Sequence, residues 1–317
     1  MSIETVGSLP LWLGFIAFVL IMLGIDLGIF HKKAHEVSAR EALGWSLVWV
    51  VLAAIFGVGL WVWFGPERAL EFATGYLIEK ALAVDNIFVF VIIFSAFAVP
   101  AVHQHRILFW GVLGALLMRA VFIFAGAALL ARFHFTMYIF GALLAITGVK
   151  LLLQREKEPS PERNIVVRAL QKVIPVSHSP HDGKFMLREG GRRYATPLLL
   201  ALLAVEVTDL IFALDSIPAI FAVTLDPFIV FTSNIFAILG LRSLYFLLAS
   251  VIQRFRYLKV GLSLVLIFVG LKMLAVEVYK VPIALSLGII AFILGGSIVF
   301  SLWRSPGGDH PEAAHGN

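Results

Sequence analysis

Apolar runs of about twenty residues recur along the chain, with spans near 10–30, 41–64, 69–98, 106–131, 136–153, 196–224, 228–252, 257–275 and 282–302. At 1.5 Å per helical residue each can cross a hydrocarbon core about 30 Å thick. The pattern predicts an all-α polytopic membrane protein with nine transmembrane helices, residues 1–317 forming a single membrane domain. The first run has only Glu4 ahead of it, without a basic leader or a clear small-residue cleavage site, so it reads as a retained helix. One long polar interruption, 154–195, is rich in Pro, Ser, Arg and Glu; it reads as a loop or small amphipathic cap with 164–173 as its helix-like piece.

Composition agrees: 60% of the residues are hydrophobic, 14% are charged, and mean hydropathy is +0.96, outside the range of soluble globular domains. The chain has no cysteine, which excludes a disulfide framework and a thiolate metal site. Its net charge of +5 would suit an acidic partner, but the distribution of Lys and Arg gives a different reason for it. On the predicted topology 17 of them fall on one side, nine in the long loop, against Arg68, Arg132 and Lys280 on the other. The positive-inside rule then places the N-terminus outside and the loop 154–195 and C-terminus in the cytoplasm. The basicity is topogenic, the partner it implies is the lipid bilayer, and a nucleic-acid role is disfavoured.

Against this apolar background two stretches stand out, EKALAVDNIFV from Glu79 and EVTDLIFALDSIPA from Glu206. In register they pair Glu79 with Asp209, Asp85 with Asp215 and Asn86 with Ser216 at a constant offset of 130. Arg119 then pairs with Arg242 at an offset of 123, and GVKLL around Lys150 with GLKML around Lys272 at 122. Each unit, about 69–153 and 196–275, holds three predicted helices. An odd number of crossings turns the second copy over, so inverted repeats are expected, with a substrate site near the midplane between them.

A charge at the bilayer centre costs about 2.5 to 3.5 kcal/mol on insertion scales, so Glu79, Asp85, Glu206, Asp209 and Asp215 must face one another, arginine, water or a cation. Oxygen ligands in such number suit Mn²⁺, Mg²⁺ or Ca²⁺, and Asn86, Ser216 and Thr208 add neutral oxygens. Arg119 and Arg242 are expected counter-ions for a carboxylate of the opposite repeat, or neutralisers of the site when the cation leaves. A straight helix cannot aim all five acids at one ion; Pro218 has no N–H for the carbonyl of Leu214, which predicts a break there and a further oxygen ligand. Asp26 is an accessory acid, and the histidines of HQH at 103–105 and SHSPH at 177–181 read as solvated loop residues.

These two acidic motifs, each followed by an arginine and then a lysine, resemble the TerC family of integral membrane proteins, including its Alx-like members, over about 10–303. The family's acidic positions fall on Glu79, Asp85, Glu206, Asp209 and Asp215. The resemblance implies export of manganese across the bacterial inner membrane in exchange for protons, Mn²⁺ being substrate and no cofactor being tightly bound. It also leaves open a membrane-embedded partner that metalates or assists insertion of other proteins. A membrane hydrolase using paired carboxylates and a metal is a third reading, and an enzyme is the less favoured one.

Overall fold

The computed structural model describes residues 5–30, 38–133, 135–153, 183–189, 192–248, 257–279 and 281–304. Its helices are α1 (Leu9–Phe30), α2 (Ala39–Phe64), α3 (Pro66–Ala96), α4 (Ala101–Arg132), α5 (Thr136–Leu153), α6 (Pro197–Phe221), α7 (Pro227–Leu239), α8 (Leu241–Leu248), α9 (Leu258–Leu274) and α10 (Ile283–Arg304). A two-stranded antiparallel hairpin, β1 (Met186–Glu189) and β2 (Arg192–Ala195), precedes α6. The architecture is thus all-α apart from one hairpin. Helices lie over every predicted span, the seventh as two pieces. Among the described residues five are long and apolar enough to cross a membrane (α2, α4, α5, α6 and α10), or six if the bent pair α7–α8 is one span. In α1 the side chains described are those of Leu9–Ile25, an apolar stretch.

Local signals start these helices where the backbone needs them. Ser38 accepts from the Glu41 N–H at the head of α2, a capping box in S-x-x-E form. Gly65, at φ +89°, turns the chain between α2 and α3, a conformation open to glycine, and Pro66 opens α3. Asp226 accepts from Phe228 N–H at 2.9 Å and caps α7. The same carboxylate accepts from the Thr5 hydroxyl at 2.7 Å and Val6 N–H at 2.8 Å, so it also clasps the segment before α1. Trp12 and Phe15 then pack their rings on Phe228 and Phe231.

Three expectations shift. The helix does not break at Pro218: α6 runs through it to Phe221, and Ala222 N–H still reaches the Pro218 carbonyl. Pro218 is one turn from the helix end, so its missing N–H leaves little helix to disrupt. Leu214 is 48% exposed on the outer surface of α6. The break falls instead at Gly240, where α7 and α8 meet at 40°. The polar loop was expected as loop or helical cap; 164–173 lies outside the described residues, while 186–189 and 192–195 pair as strands of the hairpin, anchored by Arg106 donating to the Gly183 carbonyl at 2.6 Å and stacking on Phe185. His103 and His105 sit in the first turns of α4, not in a loop.

The most extensive helix pair is α5 with α9, and it is built on backbone proximity. A methyl group on Gly270 would meet the Ala145 nitrogen at 2.6 Å and the Gly141 carbonyl at 2.7 Å; one on Gly148 would meet the Ser263 carbonyl at 2.8 Å and the Ile267 nitrogen at 2.9 Å. Small residues let helices approach this closely in a bilayer. Early α5 lies on late α9 and late α5 on early α9, so the two run antiparallel. Shifting by 122 residues turns Gly148 into Gly270, Gly141 into Ser263 and Ala145 into Ile267, and carries one half of the contact onto the other.

Candidate functional site

Arg119 of α4 is 1% exposed and lies between α3 and α6. Its Nε and Nη2 donate to Asp209 Oδ2 and Oδ1 at 3.4 and 3.2 Å, and its Nη1 donates to Ser216 Oγ at 3.2 Å and to Glu79 Oε1. Glu79 is 0% and Asp209 3% exposed. One guanidinium therefore joins a carboxylate from each acidic stretch, and its fork lets it hold both at once. Two buried carboxylates against a single cation leave an excess of negative potential.

Beside this cluster is a cavity of about 80 Å³ lined by Glu79, Asn86, Arg119, Thr147, Asp215 and Ser216, with leucines closing it. That is room for a partly hydrated ion or a few waters. Thr147 of α5 donates to Asp215 Oδ1 at 3.2 Å, which fixes that carboxylate at the cavity wall. Among the described residues Glu79 Oε2 and Asn86 Oδ1 are buried without a hydrogen-bond partner. Buried oxygens left unpaired are expensive, so acceptor capacity of this kind is unusual in a structural core.

Sequence-predicted residues thus divide. Glu79, Asn86, Asp209, Asp215, Ser216 and Arg119 come together around the cluster and cavity. Glu206 stands about a turn away, half-buried, its carboxylate filling the space over Gly114 where a side chain would otherwise lie. Thr208 donates its hydroxyl to the Ala204 carbonyl one turn back on its own helix, and Leu214 faces outward. Arg242 is buried just past the Gly240 break. Asp26 lies in α1 and Asp85 in α3, but their side chains are outside the description. Among the described residues no three His, Cys, Asp or Glu side chains form a group ready to hold a metal ion. The cluster as it stands is closed on Arg119.

Sequence reasoning missed three groups. Thr147 is an isolated hydroxyl in an apolar run and gave no signal. Lys80, the residue after Glu79, donates Nζ to the Ala237 carbonyl at 3.2 Å, in the last turn of α7 before the break. Asn234 is 0% exposed on α7, and neither amide atom has a partner among the described residues.

A bundle of apolar helices with an Arg–carboxylate cluster buried among three of them defines the class, a helical membrane protein of several spans. Comparison with known proteins gives the family: the profile of the Integral membrane protein TerC family matches residues 64–307, and the chain belongs to that family. It is 61% identical over 96% of its length to an uncharacterized membrane protein, STKORF319, of Myxococcus xanthus, covering 95% of that protein. It is 49% and 48% identical, over 95% of its length and 96% of theirs, to proteins of Salmonella typhi and Escherichia coli K12 that carry the name "Putative membrane-bound redox modulator Alx". The relatives make it an integral, multi-pass membrane protein of bacterial type. No solved structure matches it.

Proposed function

We propose that this protein is a secondary transporter that exports a hard divalent cation, Mn²⁺ ahead of Ca²⁺ or Mg²⁺, from the bacterial cytoplasm across the inner membrane in exchange for protons. The observation that carries the reading is the cavity where both acidic stretches meet, with Glu79 Oε2 and Asn86 Oδ1 unpaired at its wall. An all-oxygen set around a small space fits a hard cation. Arg119 supplies the counter-charge of the empty site; an entering divalent cation takes over that role and frees the guanidinium to stay with Asp209. The acids outnumber what one divalent ion and the arginines neutralise, so a carboxyl holds a proton during part of the cycle, and cation entry displaces it.

The exchange-symmetric contact of α5 with α9, together with their antiparallel course, supports inverted repeats about 69–153 and 196–275. Nine crossings over the whole chain, oriented by its Lys and Arg, would put the N-terminus outside and the C-terminus in the cytoplasm. The redox role in the name of the Alx relatives draws no support from thiols here, since the chain has no cysteine. The test is flux by purified protein in liposomes. Wild type should move Mn²⁺, and collapsing the pH difference should slow it. Asp85→Asn and Asp215→Asn should abolish flux while the protein stays folded. Wild-type rates in both variants would make these aspartates structural, and no flux by the protein alone would remove the transporter reading in favour of a metalation or insertion partner.

A further inference from the structure

Three polar residues follow one another in the middle of α7: Thr232, Ser233 and Asn234, each 0% exposed. The first two spend their hydroxyls on their own helix, Thr232 donating to the Phe228 carbonyl at 2.8 Å and Ser233 to the Val230 carbonyl at 3.2 Å. Asn234 does not. Both its amide atoms are buried without a partner among the described residues, at a position where leucine would fill the same volume at no polar cost.

Its neighbours place it. One turn before it, Val230 packs with Ile123 of α4 and Ile217 of α6. Two turns after it, Leu241 lines a small cavity with Ala115 and Asp209. Ile123 and Ala115 are one turn to either side of Arg119, so Asn234, between Val230 of α7 and Leu241 at the start of α8, sits at the level of the Arg119–Asp209 pair. On the α3 side the brackets are as tight. A methyl on Gly75, one turn before Glu79, would meet Ser233 Oγ at 2.8 Å, and Lys80, the residue after Glu79, reaches the Ala237 carbonyl.

We infer that Asn234 is a further ligand of the site, a neutral amide oxygen brought to the cation by the span that breaks at Gly240. The inference rests on the cation reading above and deepens it. An amide oxygen suits a hard cation and adds no charge to a cluster already rich in it. Because α7 ends five residues on, with its last turn held by Lys80, a shift of the bend moves Asn234 relative to Glu79 and Asp209 and so alters the ligand set.

The test is Mn²⁺ binding to the purified full-length protein by calorimetry, with thermal stability measured alongside in the absence of metal. Asn234→Leu should weaken Mn²⁺ binding at least about tenfold, the order seen when metal-site hydrogen-bonding groups are removed. Its metal-free stability should equal or exceed that of wild type, since an unpaired buried amide is gone. Asn234→Asp should retain binding. Unchanged affinity in Asn234→Leu overturns the inference, as does equal loss in Asn234→Asp, which would make the amide N–H a strut. Wild type that binds no Mn²⁺ removes the cation reading itself and this inference with it, and that result is read without any variant.

Discussion

Replacing Arg119 with methionine keeps most of the side-chain volume and removes the charge that Glu79 and Asp209 share. Both partners are deeply buried, at 0% and 4% side-chain exposure. Removing one member of a buried pair costs about 3 to 5 kcal/mol, because the remaining charge is left uncompensated. Here two carboxylates lose the same partner, and Ser216 loses a donor as well, so the upper end of that range applies. At 1.4 kcal/mol per decade this lowers the folded-to-unfolded ratio about 10³- to 10⁴-fold. The assay is thermal unfolding in detergent, read by loss of the monodisperse peak. The triple variant Arg119→Met, Glu79→Gln, Asp209→Asn should recover much of the loss, since it removes the buried charges together, yet bind no Mn²⁺. A single variant as stable as wild type, or a triple variant no better than the single, would refute the claim that this cluster holds the bundle together.

The glycine contacts of α5 and α9 predict that Gly148→Val, which meets backbone atoms of α9, lowers stability by about 1 to 3 kcal/mol. Gly14→Val, whose side chain would point into open space, should serve as the silent control in the same melt. Pro218→Ala should leave stability within about 1 kcal/mol and flux unchanged, because α6 already continues through the proline; a large loss of transport would restore the break at that point. In the naturally cysteine-free chain, Thr5→Cys should react with an impermeant maleimide in intact cells and Ser160→Cys should not. The reverse labelling would invert the proposed topology.

Apolar runs made the helices legible, because a bilayer leaves few alternatives to a helix for twenty such residues. Charged letters made the cluster legible: an arginine or carboxylate in such a run needs a partner, and Arg119, Glu79 and Asp209 proved to be each other's. Pro218 misled because a proline signals a break only when enough helix follows it. Gly240 gave no warning, since glycine inside a membrane helix is as often a packing device as a bend, and Gly141, Gly148 and Gly270 are packing devices here. The hairpin at 186–195 was hidden by its short, charged strands, MLRE and RRYA, which lack an apolar alternation. Asn234 escaped a search keyed to charge. The displacement of Glu206 depends on Gly114 of another helix, a relation that only packing reveals.

The α5–α9 seam presents the same arrangement whichever helix is regarded as the guest. A surface that fits its own equivalent couples the two helices residue by residue. A side chain that grows at 148 has to be answered at 263 and 267, and one that grows at 270 at 141 and 145. The small residues of the two helices should therefore drift as coupled sets. A gene cut between the two units would yield halves that each still carry a face able to receive the other.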